Sequence, residues 1–330
     1  MRYISRDDVD ALKLGIADIE TALVEAFLAS RNGAIVGKPK SNILRPDGIF
    51  LVGALASWAE RGHGVFHSIM GTTPDKVPPG APHYTTLQVL SDYHAGTPLA
   101  IVDGSFTSTM LPVGVTALTA RRLARADSRV IAMIAAGLQA RVNLAALVDL
   151  FPLREVRIVS RTEQSARTFA AEVELRGLRA VVTHDAETAV RGADIIVSSV
   201  PGAPGMSPFL DPAWVSAGAY VSAVDVGRSW KPGFERFERT VVDDRVQAEV
   251  MHREGRLAWA GPFDTEIPEL LAGARPGRER ATDRIAFIHP GNIVGILAFT
   301  ELIYRKAASR GLGQVLGQAL GERPNHHAAV

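Results

Sequence analysis

Arg129-Val-Ile-Ala-Met-Ile-Ala-Ala-Gly-Leu-Gln-Ala140 is a short apolar strand that runs into a turn of small residues and then into a helix. Dinucleotide-binding turns follow the pattern G-x-G-x-x-G/A. Here the three positions hold Ala135, Gly137 and Ala140, so the central glycine is kept. A glycine at 137 lets the backbone approach a pyrophosphate, and the helix that follows presents unpaired N–H groups and a partial positive charge. Ala140 lets that helix pack close to the strand, and Ala136, Leu138 and Gln139 complete the turn. Small residues at such a turn also serve close packing alone, so the pattern needs its context.

The context is an alternation of strands and helices. A second strand at 155–160 ends in Ser160, Arg161 and Thr162 and is followed by an Ala-rich helix at 163–175. A strand at 180–183, a helix at 186–191 and a buried strand at 193–200 come next, the last closed by Pro201 and Gly202. Such alternation implies an α/β fold with a Rossmann-type, doubly wound parallel sheet and right-handed crossovers. Ligands in such sheets sit at the carboxyl ends of the strands, so Ser198, Ser199 and Val200 are expected to face the same crevice as Gly137. The end of the second strand bears on the cofactor. NAD sites usually carry Asp or Glu there, whereas a guanidinium with two hydroxyls suits a 2′-phosphate, so NADP is preferred over NAD. Arg161 as a plain solvated residue is the alternative.

Composition narrows the class. The 330 residues suffice for two domains, and a net charge of +1 with scattered Lys and Arg gives no footprint for nucleic acid. No apolar run approaches the roughly 20 residues of a membrane span, and the N-terminus is no signal peptide, so a cytoplasmic location is expected. The absence of Cys excludes disulfides, thiolate metal sites and a Cys nucleophile. No metal-spaced cluster, His-Glu-x-x-His pair or Gly-x-Ser-x-Gly elbow is present, so no metal is expected.

The remaining chain flanks the nucleotide-binding part. A capped helix at 5–29 is followed by strand-like runs at 49–55, 64–70, 86–91 and 97–103, separated by loops rich in Gly and Pro, notably 72–82. These read as an α+β substrate domain. A helix at 115–126 leads into the nucleotide fold, and a last helix at 295–309 is apolar on more than one face. The tail with His326-His327 reads as frayed rather than metal-binding. The division is therefore 1–120 for substrate binding and dimerisation, joined by 300–330, and 121–299 for the dinucleotide.

Several strings in this order resemble the ornithine cyclodeaminase/mu-crystallin family: Gly96-Thr-Pro-Leu-Ala-Ile-Val-Asp-Gly104, Thr116-Ala-Leu-Thr-Ala-Arg-Arg-Leu-Ala124, Ala136-Gly-Leu-Gln-Ala140, Val156-Arg-Ile-Val159 with Ser160-Arg161, Ala193-Asp-Ile-Ile-Val197 and Gly218-Ala-Tyr-Val-Ser-Ala-Val224. The resemblance implies a two-domain homodimer, with a Rossmann domain set into a substrate domain whose strands form the dimer contact. Members include cyclodeaminases, ketimine and imine reductases, alanine-type dehydrogenases and an NADPH-binding protein.

The chain departs from that family where chemistry is carried. Cyclodeaminases of the family hold the substrate carboxylate with a Lys in G-V-K and an Arg in R-T, and use an Asp after V-G. Here Phe66 follows Gly64-Val65, Leu111-Pro112 replaces the Arg-Thr pair, and Gly227 stands at the Asp position. Without the clamp, cyclodeamination of ornithine is not expected. Substitute groups lie nearby. His67 and His289 are candidate acid–base groups, and Asp225 ends an apolar strand at the crevice, beside Val224. Lys40, Phe66, His83 and Arg228 are candidate substrate contacts. Each has a bland alternative: His67 alternates with Phe66, so one of the two faces the core, Arg228 could bridge a surface carboxylate, and Lys40 could be a solvated loop lysine.

The leading expectation is an NAD(P)-dependent oxidoreductase acting on the C–N bond of an imine, ketimine or amino acid, with a small-molecule substrate and no nucleic-acid or membrane partner. The alternatives are a cyclodeaminase-type lyase that uses NAD internally, and a non-catalytic NADPH-binding protein of the mu-crystallin type.

Overall fold

The computed structural model describes residues 1–73, 76–78, 81–202, 205–257 and 259–317. The His326-His327 tail and part of the 72–82 loop lie outside the described residues. Two compact units result, Met1–Leu111 with Ile293–Val330, and Pro112–Asn292.

The first unit begins with β1 (Arg2–Ile4), α1 (Arg6–Ala11) and α2 (Ile16–Arg31). The single helix expected at 5–29 is therefore two. Ser5 and Asp8 close a capping box on α1, Lys13 then turns left-handed at φ 50°, and Gly15, whose N–H Asp18 accepts, starts a second helix. Next come β2 (Ile35–Gly37), β3 (Ser41–Leu44), β4 (Phe50–Trp58), β5 (His63–Gly71), β6 (Tyr84–Asp92) and β7 (Pro98–Asp103). β4 to β7 form an antiparallel meander, with β1 parallel to β7. One face of the sheet is core, carrying Ala54, Ala56, Trp58, Val65 and Leu90. The other carries a transverse apolar row, Leu55, Phe66, Val89, Ile101 and Tyr3, because register pairs those positions across five strands. Leu55 is 54% exposed and Phe66 48%.

α3 (Ser105–Leu123) follows and passes through the unit boundary. It starts well before the expected 115 because Asp103 receives the Ser105 N–H, and it accommodates Pro112 in its interior, where a run of apolar contacts outweighs one lost backbone bond. Residues 120 and 300 lie inside helices.

The second unit holds β8 (Val130–Ile134), α4 (Leu138–Val148), β9 (Glu155–Val159), α5 (Glu163–Glu174), β10 (Arg179–Val182), α6 (Ala186–Val190), β11 (Ile195–Ser198) and β12 (Tyr220–Ala223). β13 (Arg239–Val242), α7 (Arg245–Arg253), β14 (Thr265–Glu266), α8 (Ile267–Leu271) and β15 (Ile285–Ile288) complete it. The strand order is β10-β9-β8-β11-β12-β15-β13-β14, with all these pairings parallel. The chain winds outward from β8 in one direction and from β11 in the other, so the reversal lies between them. That is where doubly wound sheets open a crevice. The unit is a Rossmann-type fold, and the first is its α+β companion. α9 (Ile293–Ser309) and β16 (Gln314–Val315) return to the first unit, where β16 pairs with β1. No helix among the described residues is long and apolar enough to cross a membrane.

Candidate active site

Hydrogen bonds beyond the strand ends align the carboxyl edge of the second unit. Ala135 donates to the Val159 carbonyl, Ser199 to Ile134, Asp225 to Ser198 and His289 to Ala223. Residues expected to act together are thus neighbours on one edge, about 5 Å per strand apart.

The turn after β8 has one unusual backbone position. Ala135 sits at φ 108°, a region that side chains rarely adopt, at the position where glycine is the pattern residue. Gly137 is the reverse case. Its φ of −88° suits any residue, and a Cβ there would meet nothing within 4 Å. Neither backbone nor packing requires glycine at 137, and the open space is what a pyrophosphate approach would use. Gly137 also caps α4 without a side-chain acceptor, so the first N–H groups of that helix stay available. Arg141 donates to the Ala136 carbonyl, pairs with Glu172 and lies over Phe169, which fixes the turn from outside. The buried Ser199 hydroxyl, one strand away, has no partner among the described residues. These features fit a dinucleotide. Relieving the strain with Ala135→Gly is expected to stabilise the protein by about 1 kcal/mol, the release outweighing the extra chain entropy of glycine, as read by thermal unfolding.

At the end of β9, Thr162 is already committed. Its hydroxyl caps α5 and bonds to Ser165. Arg161 is exposed, Ser160 is half-buried, and Glu163, the next carboxylate, is engaged by Arg167 and His184.

Asp225, past β12, is 4% exposed. Oδ1 accepts from the Ser198 hydroxyl at 2.9 Å and the Gly227 N–H at 3.2 Å, and Oδ2 accepts from the Ser229 hydroxyl. The Trp230 indole donates to the same Ser198 hydroxyl at 2.9 Å. Burial pushes the carboxyl up from its ordinary value, against the hydroxyls and the nearby Arg228. Val226 and Gly227 then take consecutive left-handed conformations at φ 62° and 73°. For a β-branched residue this is a strained position, of the kind that collects at functional sites. The Arg228 guanidinium lies over Gly202, where a Cβ would come within 2.6 Å of Nη1. Desolvation lowers its pKa while Asp225 supports its charge.

His289 follows β15, with Nδ1 2.6 Å from Asp243 Oδ2. The approach is close but off the ring's N–H axis. The same oxygen accepts from the Gly291 N–H at 3.1 Å and from Asn292 Nδ2 at 3.0 Å, so Asp243 fixes the turn that carries His289.

In the first unit, β5 puts Phe66 and His67 on opposite faces. Phe66 belongs to the exposed row, and His67 is 2% exposed between Ala54 and Gln88 of the adjacent strands. Burial first, and then the Lys40 charge, lower His67 to about 4, so it is neutral at physiological pH. Its Nδ1, Thr86 Oγ1 and Gln88 Nε2 are buried without partners among the described residues, while Gln88 Oε1 accepts from Thr107 and Thr300. His83 lies partly exposed before β6, edge-on to Tyr84.

Sequence reasoning missed Asp243, Ser229, Trp230, Thr86 and Gln88. Asp243 had a readable signal, the β-branched run Thr240-Val-Val closed by Asp. The others have none in a single chain, because their positions follow from strand register and loop geometry.

Comparison with known proteins agrees with this architecture. Residues 6–311 match the ornithine cyclodeaminase/mu-crystallin family. The chain belongs to that family. It is 29% identical over 249 residues to the alanine dehydrogenase of Archaeoglobus fulgidus, covering 73% of this chain and 75% of the relative. It is 29% identical over 227 residues to the ketimine reductase mu-crystallin of Mus musculus, covering 68% and 70%. Among solved structures, an archaeal alanine dehydrogenase dimer with bound NAD superposes with a TM-score of 0.83 at 25% identity, over 96% of this chain and 99% of that one. The Thermococcus litoralis Δ1-pyrroline-2-carboxylate reductase, in complex with NADH and L-proline, superposes at 0.82 with 22% identity, over 96% and 100%, and shares the fold.

Proposed function

We propose that the protein is an NAD(P)-dependent oxidoreductase acting on a C–N bond, an imine reductase or amino-acid dehydrogenase. The observation that carries this reading is Gly137, a glycine that the protein's own structure does not require, at an uncapped helix start beside the crevice of a doubly wound sheet. Family relatives that include an alanine dehydrogenase and a ketimine reductase support the reaction class. The residues that would hold the dinucleotide are Ala135 to Ala140 at the pyrophosphate, Ser160 and Arg161 at the adenosine end, and Ser198 to Val200 with Val224 at the nicotinamide end. Bound there, the nicotinamide would donate or accept a hydride.

On this reading Arg228 holds an anionic group of the substrate, and His289, oriented by Asp243, exchanges a proton with the nitrogen. Asp225 is a positioning residue, since its oxygens are already taken by Ser198, Ser229 and Gly227. His67, neutral at physiological pH, is not proposed as the proton carrier. The purified protein is expected to oxidise reduced nicotinamide in stoichiometry with a 2-oxo acid plus ammonia or methylamine, or with a cyclic imine. Ammonia release from a diamino acid without any absorbance change would replace this reading with a cyclodeaminase.

The finer cofactor choice proposed is NADP. Arg161 is the exposed cation at the end of β9, and the adjacent Glu163 is already paired. Arg161→Ser is expected to weaken NADPH binding by about 1.5–3 kcal/mol, the worth of a charge-assisted bond, and to leave NADH unchanged. Equal losses for both cofactors in a titration would contradict that choice.

The proposed assembly is a homodimer through the row Leu55, Phe66, Val89, Ile101 and Tyr3, a continuous apolar band across five strands that is exposed at Leu55, Phe66 and Tyr3. The dimeric alanine dehydrogenase relative supports it. Leu55→Asp is expected to halve the mass seen by sedimentation, with the monomer still folded.

A further inference from the structure

Beside the strained Val226–Gly227 pair, the second unit contains an apolar cavity of about 80 Å3. Trp230, Phe234, Leu257, Trp259 and Ile288 form its floor and walls, and Val226 stands at its rim. Phe234 and Trp259 stack at 5.3 Å with 20° between the rings, so one wall is a flat aromatic surface. Ile288 is the last residue of β15, directly before His289, and Val226 directly follows Asp225. The cavity therefore borders the same carboxyl edge as the candidate site.

We infer that this cavity receives the aliphatic side chain of the substrate, a branched imino or oxo acid. The inference rests on the C–N oxidoreductase reading and supplies its substrate class. The lining argues for an uncharged group. The Trp230 N–H is spent on Ser198, and the other named walls are hydrocarbon or ring faces. A polar side chain would lose its water there and gain little in return. At the rim, Lys231 is occupied with Asp211 and with the Trp214 ring. Glu235, the carboxylate among the lining residues, is exposed to solvent, so a terminal ammonium would meet a hydrated counter-ion at the rim rather than a buried one in the pocket. Size sets the upper limit. A cavity of roughly 150 Å3 accommodates benzene, so this one suits about three or four carbons.

The test uses the wild-type protein with reduced nicotinamide, ammonia and 2-oxo acids bearing methyl, ethyl, isopropyl, isobutyl and benzyl side chains. kcat/KM is expected to rise about tenfold for each added methylene up to the branched acids and to fall for the benzyl acid. A flat series would overturn the cavity assignment while leaving the oxidoreductase reading intact. If no acid is turned over, that reading falls. The cavity is then tested by binding alone, through quenching of tryptophan fluorescence by 4-methylpentanoate against acetate and a trimethylammonium acid. Preference for 4-methylpentanoate supports the assignment, and equal quenching or preference for the cation overturns it. Leu257→Phe, which fills the space, is expected to shift the optimum to the methyl acid. An unshifted optimum in the folded variant would count against the proposal.

Discussion

Gly137→Asp is expected to stabilise the apoprotein and to cripple cofactor binding at the same time. Gly137 caps α4 without a side-chain acceptor, its φ of −88° is open to any residue, and its Cβ position is empty. An Asp there would accept a first-turn N–H and place negative charge at the positive end of the helix, a gain of about 0.5 kcal/mol. The same carboxylate would stand at the proposed pyrophosphate position and would consume donors the ligand needs. The expected loss of affinity is about 100-fold, or roughly 2.7 kcal/mol. Thermal unfolding and a fluorescence titration read the two effects separately. A variant that lost stability would show that glycine serves the fold, and one that kept its affinity would move the dinucleotide elsewhere.

The second large effect is expected at Asp225, and it divides by substitution. Asp225→Ala strips the acceptor from two hydroxyls and one backbone N–H in a buried place, which is expected to cost about 3 kcal/mol. Asp225→Asn keeps an acceptor oxygen and removes the charge. Burial raises the folded carboxyl above its ordinary 3.8. The stability contributed by this group is therefore fully present below 3.8 and is lost as pH rises through the folded value. At neutral pH the native carboxylate is a liability that the amide avoids. Asp225→Asn is accordingly expected to match or exceed the wild type near neutrality and to steepen the acid limb of a denaturant-unfolding series, because the buried carboxyl's stabilising proton uptake is lost. It is also expected to retain most turnover, because the group acts through Ser198, Ser229 and Arg228. An abolished kcat with unchanged stability would return Asp225 to the chemistry itself.

These two residues illustrate how far the chain could be read directly. The turn at Gly137 and the alternation from 129 to 200 were legible because a parallel strand buried on both faces is a compact apolar run followed by a helical period. β13 to β15 were not, since Arg239–Val242 and Ile285–Ile288 are four residues each and stand among long irregular connections. The break between α1 and α2 was hidden because both helices keep one apolar period across Lys13–Gly15. Within the site, alternation showed that Phe66 and His67 must part company but not which one turns inward, as that depends on the register of β4 and β6. The Asp225 position was legible as a strand end. Its saturation was not, because Ser229 and Trp230 reach back only through the left-handed turn at Val226 and Gly227.

Arg228 and His289 gain their meaning from the same edge. One is a half-buried cation held over Gly202, the other an imidazole tied to a buried carboxylate, and both flank β12. On the proposed reading, that pairing of a cation with an imidazole would suit a substrate that brings an anionic group and a basic nitrogen together.

The most direct test is hydride tracing. The protein is incubated with reduced nicotinamide cofactor deuterated at the transferable C4 position, together with an imine or with a 2-oxo acid and ammonia, and the product is analysed by mass spectrometry. One deuterium on the carbon bonded to nitrogen is the expected result. Product free of deuterium, or protein that binds neither NADPH nor NADH, would contradict the account.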